Sequence, residues 1–314
     1  MAHQTTTASR YALTGSLLVL AASIAFSSKA IMVKLAYAHG VNAETLIALR
    51  MGFSVPFFAA LAWWAYVSGS APRMTVRDGW AIVALGTVGG YVPMWLDFSG
   101  LAYVTAGLER IILFLYPTMV VLISAMWFGQ RIGGREIFAL LASYTGVALA
   151  VGHDLTALQS GTGQTLLGAV LVLMSALTYA AYLVASGRVI PRVGSSAFTA
   201  YTMLAASIAS GVHFALTQHA ASVLYLPMPV YELGLLMAVV ATVFPAIMLN
   251  VGIHRIGSSR ASLVSSVGPV STILLAWMFL GEGVTALQIA GTALVMVGVL
   301  AITVKPLRRK GIEA

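Results

Sequence analysis

The sequence predicts an all-α polytopic membrane protein whose ten transmembrane helices form two inverted five-helix repeats. Three observations lead to this prediction: the apolar composition, the alternating placement of basic residues, and matched positions in the two halves. Of the 314 residues, 60% are hydrophobic and 8% are charged, whereas soluble domains carry about 25% charged residues. Apolar stretches of about 20 residues, long enough to cross a bilayer as helices, follow one another along the chain.

We expect ten spans, joined by short connections rich in Gly, Pro, Ser and charge. The first span ends at lysines and not at a small-residue cleavage site, so it is expected to be a retained helix rather than a signal peptide. The expected ranges are 11–33, 45–67, 79–98, 104–128, 136–153, 164–186, 197–219, 231–252, 259–280 and 285–304.

The basic residues predict the orientation of these spans. Every second connection between spans carries two Arg residues, whereas connections on the other side of the membrane, such as HDLTALQSGTGQT, contain no Lys or Arg. Because cytoplasmic loops carry the excess of Lys and Arg, both termini are expected in the cytoplasm, and a bacterial inner membrane is the expected location. The net charge of +8 then reflects topology, and no nucleic-acid partner is expected. The basic connections contain Arg73 and Arg77, Arg131 and Arg135, Arg188 and Arg192, and Arg255 and Arg260.

The two halves of the chain align with each other at an offset of 152 residues. This alignment divides the chain into residues 1–155 and 156–314, each with five spans. An odd number of spans inverts the second copy, which is a design of transporters that open a midplane site to each side in turn. The matched prolines are expected to bend their helices as hinges, and the alternative is that they only shape packing. The matched pairs are Pro93 and Pro245, Gly100 and Gly252, Pro117 and Pro269, Gly129 and Gly281, and Gly146 and Gly298.

Two long segments carry a resemblance to a known family. The segments GLAYVTAGLERIILFLYPTMVVLISAMWFGQ and GIHRIGSSRASLVSSVGPVSTILLAWMFLGE each have a small-residue entry, a mid-span proline and a Gly followed by an amide or acid. With the LALR stretch at Arg50, they resemble the drug/metabolite transporter superfamily, specifically the ten-helix EamA type. The second segment has the usual Gly-Glu at Glu282, and the first has Gln130 there.

The resemblance implies a secondary-active transporter that exports or exchanges a small metabolite, amino acid-like or another small organic solute, without ATP. Consistent with this, no GxxxxGK[ST] loop is found in the sequence. The substrate stays open among amino acids, nucleobases, sugars, cations and drugs, and coupling to a proton or a counter-substrate stays open too. A passive channel or facilitator and a multidrug or cation efflux carrier are the alternatives.

Charged residues inside the spans are the first candidates for the transport pathway. Counted from the connections, they lie at a common height near the outer edge of the bilayer. Neighbouring residues of a helix point about 100° apart, so Glu109 and Arg110 need partners on other helices. We expect an outer gate, an ion-pair network across spans one to four; the alternative is that the charges snorkel to water and only stabilise the fold. The set is Lys29, Arg50, Asp97, Glu109 and Arg110.

Polar residues on other spans are the second group of candidates. Span nine carries a helical stripe of Ser258, Ser262, Ser265, Pro269 and Thr272, which is either a polar wall of the pathway or a close-packing face. Further pathway candidates are Tyr116, Tyr179, Tyr182 and Asn250, whose rings or amide can contact a planar or cationic substrate, packing being the alternative.

Other classes of function lack their residues in this sequence. The chain has no cysteine and no HExxH motif, so we expect no metal site, no cofactor, no catalytic residue and no enzyme activity. The expected partners are the small-molecule substrate and the lipid bilayer. A small-residue face in span ten, with Ala286, Ala290 and Ala293, allows a homodimer or serves internal packing.

Overall fold

The structure is a computed structural model that describes residues 2–68, 74–129, 132–157, 162–218 and 220–303. Within these ranges the chain is helical, without strands. Two π-helical turns, Leu85–Tyr91 and Val239–Val243, and a 3₁₀ turn, Ala220–Tyr225, interrupt the α-helices. The helices are α1 (Ala2–Tyr37), α2 (Ala43–Val67), α3 (Val76–Ala84), α4 (Val92–Leu101), α5 (Ala106–Leu113), α6 (Tyr116–Phe128), α7 (Gly134–Ala157), α8 (Thr162–Val193), α9 (Ser195–Thr217), α10 (Met228–Ala238), α11 (Phe244–Ile256), α12 (Ser258–Ser265), α13 (Gly268–Leu280) and α14 (Ala286–Thr303).

The described helices make ten segments that are long and apolar enough to cross a membrane, as predicted. Six segments are single helices, and four are each built from two helices. Spans three and eight join α3 to α4 and α10 to α11 through the π-helical turns, whereas spans four and nine join α5 to α6 and α12 to α13 through short turns. We call the side on which α1 begins the terminal face, and the side on which it ends the distal face.

The four matched prolines all lie where a span is broken. Pro93 and Pro245 occupy the first turn of α4 and α11, directly after the π-helical turns. Pro117 and Pro269 occupy the first turn of α6 and α13. A proline is tolerated in a first turn because the N–H that it lacks would be unpaired there. The spans of the two repeats are therefore interrupted at equivalent positions.

Matched glycines end equivalent helices in the two repeats. Gly129 follows α6 with φ of 64°, and Gly281 follows α13 with φ of 67°. This left-handed conformation favours glycine and stops a helix. The pair identified by the sequence alignment therefore has the same conformation in both repeats.

The first span of each repeat packs against the other repeat. α1 contacts α11, α12 and α13, and α8 contacts α4, α5 and α6. Both crossings are close because glycines meet there: a Cβ on Gly252 would lie 3.0 Å from the carbonyl oxygen of Gly15, and a Cβ on Gly100 would lie 3.0 Å from that of Gly168. The two crossings are equivalent in the alignment, which supports the inverted duplication.

Spans five and ten, formed by α7 and α14, also pack closely together. A Cβ on Gly146 would lie 2.5 Å from the carbonyl oxygen of Gly291. The small-residue face of α14 points elsewhere, since its members are exposed. A homodimer through this face stays a prediction. The exposed members are Ala286, Ala290 and Ala293.

Large aromatic side chains are exposed near both faces of the helix bundle. Trp63, Trp80 and Trp127 lie toward the terminal face, and Tyr225 and Trp277 toward the distal face. Such side chains commonly mark the two membrane–water interfaces. Their positions agree with spans that cross the whole bilayer.

Candidate functional site

One lysine joins two carboxylates from different spans near the distal face. Lys29 of α1 donates to Oδ2 of Asp97 on α4 and, over 3.1 Å, to Oε1 of Glu109 on α5. The side chain of Glu109 is 0% exposed and that of Lys29 is 14% exposed. Glu109 is therefore stabilised by Lys29 and not by reaching water, as a charge at this depth requires. We call Lys29, Asp97 and Glu109 the distal charge cluster.

The distal charge cluster keeps spare hydrogen-bonding capacity. Oδ1 of Asp97 and Oε2 of Glu109 are buried and have no hydrogen-bond partner. Buried polar atoms are nearly always paired in folded proteins, so these two oxygens are unusual and remain able to accept a hydrogen bond. No three His, Asp or Glu side chains in the described ranges are grouped closely enough to hold a metal ion.

Arg50 is bound to the second repeat. Its Nε donates to Oγ1 of Thr242 over 3.1 Å, and its guanidinium lies 5.6 Å from the ring centre of Phe98. Thr242 belongs to the second π-helical turn and donates to the carbonyl of Met237 over 2.9 Å. Arg50 forms no ion pair within the described part of the chain, so the ion pairs of the cluster join spans one, three and four and leave out span two, contrary to the expected network.

Arg110 lies against the break in span nine. A Cβ on Gly268, the first residue of α13, would lie 3.1 Å from Nη2 of Arg110 and 3.8 Å from Oγ of Ser27. Ser27 donates to the carbonyl of Gly268 over 2.9 Å. Nε of Arg110 is buried without a partner. Glu109 and Arg110 therefore contact different helices, α1 and α13.

Five aromatic rings form a continuous chain toward the terminal face. The centroid distances are 6.4 Å from Phe114 to Tyr116, 5.3 Å from Tyr116 to Tyr179, 5.9 Å from Tyr179 to Tyr182 and 6.2 Å from Tyr182 to Phe198. Tyr179 remains 37% exposed, so its ring is not sealed by packing. We call these five residues the aromatic ladder; it brings together the three tyrosines that the sequence singled out.

The polar stripe of span nine is only partly described. The side chains of Ser258, Ser262 and Asn250 lie outside the described residues. Ser265 is the last residue of α12, immediately before the break, and Thr272 donates to the carbonyl of Gly268 over 3.1 Å. The placed members of the stripe thus surround the same break that Arg110 contacts.

A contact that the sequence analysis missed ties the two repeats together at the distal face. Glu282, after α13, accepts hydrogen bonds from the backbone N–H groups of Ala106 over 2.9 Å and Gly107 over 3.3 Å. These are the first residues of α5, where N–H groups have no intrahelical partner. The Gly-Glu pair after span nine was the available signal, and it was used only for the resemblance.

A cleft of about 370 Å³ opens on the distal face between the ends of α1 and α4 and the start of α2. Tyr37, which lines it, donates to the carbonyl of Phe98 over 2.6 Å. Tyr37 therefore links the cleft to the backbone of the residue that follows Asp97. The cleft is also lined by Asn42, Glu44, Ser99 and Tyr103.

Comparison with known proteins identifies the family. The model of the EamA-like transporter family matches residues 13–152 and 166–304. The chain belongs to the EamA-like transporter family. The resemblance to the drug/metabolite transporter superfamily is thereby confirmed, and each match covers five spans.

Relatives of the EamA-like chain are themselves named only as transporters. The uncharacterized transporter YcbK of Bacillus subtilis (strain 168) is 32% identical over 289 residues, 90% of each chain. The uncharacterized transporter sll1319 of Synechocystis is 24% identical over 307 residues, 90% of this chain and 91% of its own. A crystal structure with a TM-score of 0.62 and 18% identity, covering 92% of this chain and 98% of the other, has the same fold.

Proposed function

We propose that this EamA-like protein is a secondary-active transporter that exports or exchanges a small organic metabolite by alternating access and without ATP. One observation supports this proposal above the others. Four spans are interrupted at equivalent positions in two inverted repeats, and the first helix of each repeat packs against the other repeat. Inverted repeats of this kind move against each other around a central site in known transporters. The proposal places the protein in a bacterial inner membrane.

The exchanged helices define two equivalent units. The first unit consists of α3 to α6 with α8, and the second consists of α10 to α13 with α1, since these helices pack together. Lys29 of the second unit holds Asp97 and Glu109 of the first. Glu282, which follows α13 of the second unit, accepts a hydrogen bond from the start of α5 in the first unit. Both sets of bonds support a closed distal gate.

Equivalent positions near the terminal face carry no charge. The repeat partners of Lys29, Asp97 and Glu109 are Tyr182, Leu249 and Ala261. A gate without ion pairs between its units separates more easily than one with buried pairs. We therefore infer that the state described here is closed at the distal face, and that the site opens first toward the terminal face.

Orientation is the part of the proposal that can be tested most directly. We place both termini in the cytoplasm, so the distal face is external. The chain has no cysteine, hence one introduced cysteine gives one label. With a membrane-impermeant maleimide on intact cells, Gln164→Cys is expected to be labelled, and Arg77→Cys only after permeabilisation. The reverse pattern would overturn the orientation.

Transport itself is tested with the purified protein in proteoliposomes. The panel contains amino acids, nucleobases, sugars and cationic dyes, each measured with and without a pH gradient. Saturable counterflow supports the transporter, and stimulation by the gradient supports a proton at Glu109 as the coupling ion. Stimulation by unlabelled solute on the far side alone supports a counter-substrate. Flux that never saturates would instead indicate a channel, and saturable uptake of many unrelated dyes a multidrug carrier.

A further inference from the structure

Two bases near the distal charge cluster take no part in its ion pairs within the described residues. Lys29 is bonded to both Asp97 and Glu109, whereas Arg50 contacts Thr242 and Phe98, which are neutral. Arg110 forms no ion pair in the same described ranges. An anionic ligand would give one of these two bases a partner.

Arg110 is the base that still has a hydrogen-bond donor to offer such an anion. Its buried Nε has no partner, and its Nη2 lies with Oγ of Ser27 around the same point next to Gly268. The guanidinium presents five donors in a planar fork that matches a carboxylate with two parallel hydrogen bonds. Because Gly268 has no Cβ, the guanidinium can lie directly against the start of α13.

The aromatic ladder leads from the terminal face toward Arg110. Phe198 lies near the start of α9 at the terminal face, and Tyr116 begins α6, six residues after Arg110. Only the short break between α5 and α6 separates Tyr116 from the helix that carries Arg110, which suits a compact ring that bears one carboxylate. Stacking and edge contacts between aromatic rings are favourable, so the ladder offers such contacts to a ring-bearing solute.

We infer that the substrate is a planar organic monoanion whose carboxylate binds Arg110 and whose ring contacts Tyr116 and Tyr179. This inference rests on the proposed transport function and names the substrate class of the same site. A carboxylate bound to Arg110 lies beside Gly268 and Ser27, and Ser27 precedes Lys29 by two residues on α1. The substrate site therefore adjoins the distal charge cluster without sharing its bonds.

The test uses three probes that share one ring and differ in charge: benzoate, benzamide and benzylamine. Each is added at millimolar concentration to the purified full-length protein, and the Tm is measured in detergent. A ligand that binds only the folded state raises the Tm. We expect benzoate to raise it by a few degrees and the other two to leave it unchanged. An equal shift with benzamide or benzylamine, or no shift with benzoate, would overturn the inference.

Variants test whether the shift in Tm with benzoate comes from binding at Arg110. Arg110→Gln should abolish the benzoate shift, whereas Arg188→Gln should keep it, since Arg188 lies 4.4 Å from the Phe128 ring, far from the cluster. Gly268→Ala is the second variant, because it keeps the charge and places a methyl group 3.1 Å from Nη2 of Arg110; it should require at least about tenfold more benzoate. An unchanged shift in Arg110→Gln or in Gly268→Ala contradicts the assignment.

The inference and the proposed function fail in different ways. Saturable counterflow of a sugar or a cationic dye, combined with no response to benzoate, would contradict the anionic substrate class and would still support the transport function. A benzoate shift that depends on Arg110, combined with benzoate flux that never saturates, would support the binding site and overturn alternating access.

Discussion

Glu282 accepts a hydrogen bond from the backbone N–H of Ala106 over 2.9 Å, and this bond joins the end of span nine to the start of span four. A carboxylate at a helix N-terminus is stabilised by the unpaired N–H groups and by the helix dipole. In the proposed alternating-access cycle this bond has to break before the distal face opens, because the two residues belong to different units. Glu282 is then expected to act as a latch, that is, a bond whose strength sets how often that face opens.

Removing the latch should increase opening at the distal face. Loss of a helix-capping side chain typically costs about 1 kcal/mol, which corresponds to roughly a fivefold change in an equilibrium. We expect Glu282→Ala to speed the labelling of a cysteine at the buried position Leu108 by an external maleimide by about that factor. The matched control is Glu232→Ala, an exposed carboxylate on the same face; equal labelling rates in both variants would contradict the latch.

Neutralising the carboxylates of the distal charge cluster should impair transport more than membrane insertion. In the proposed cycle these ion pairs have to form again each time the distal face closes, and a hydrogen bond to a charged group contributes about 1.5–3 kcal/mol. Glu109→Gln or Asp97→Asn should therefore slow closing, and with it transport, about tenfold or more. Initial uptake rates in proteoliposomes measure the effect, and immunoblots of membrane fractions measure insertion. Normal transport by the double variant would mean that the cluster only stabilises the fold.

Removing Lys29 alone should destabilise the protein most. Lys29→Met leaves two buried carboxylates without their cation, and breaking a buried pair costs about 3–5 kcal/mol. The triple variant Lys29→Met, Asp97→Asn and Glu109→Gln should recover most of the lost Tm, because no unpaired charge remains. Thermal denaturation in detergent compares the two. A triple variant no more stable than the single one would show that the residues do not form one cluster.

The glycine crossing between α1 and α11 should not tolerate a methyl group. A Cβ on Gly252 would lie 2.4 Å from Cγ2 of Val19, and overpacking of this kind costs about 1–3 kcal/mol. Gly252→Ala should therefore lower the Tm. Gly211→Ala is the control, since a Cβ there meets nothing within 4 Å. Equal Tm values for Gly252→Ala and Gly211→Ala would mean that α1 and α11 accommodate the added methyl group without loss of stability.

The proline at the break in span nine should matter for movement and not for folding. Pro269 occupies the first turn of α13, after the break, whereas Pro56 lies within the continuous helix α2. We expect Pro269→Ala to lower the maximal counterflow rate and to leave the Tm within a few degrees, while Pro56→Ala leaves the rate unchanged. Equal rates in the two variants would favour a role in packing alone.

Much of the fold could be predicted because composition and turn chemistry act locally. The ten spans follow from apolar length, and Gly129, Gly281 and the four matched prolines reappear as helix ends and breaks. The π-helical turns could not be predicted, since a turn with one extra residue has no residue signature. The exchange of the first helices also escaped prediction, because it depends on how two repeats pack together.

The candidate site was predicted as a set of charges but not as a set of partners. Counting residues along the spans places Lys29, Asp97 and Glu109 at the same depth in the membrane. The partner of Arg50 depends on Thr242, which is remote in sequence and is presented by a π-helical turn. Glu282 was overlooked because a glutamate after a span reads as a solvated loop residue unless the helix end that it caps is known.

The exchange of first helices has a consequence for synthesis. Ser27 on α1 bonds to Gly268, which is 241 positions later, and a ribosome adding about 5–20 residues per second needs roughly 10–50 s to cover that distance. During this interval the first helix lies in the lipid without its neighbours in the second repeat, α11 to α13. Neither half made alone should mature into a stable product, and two halves co-expressed as separate chains should rescue each other.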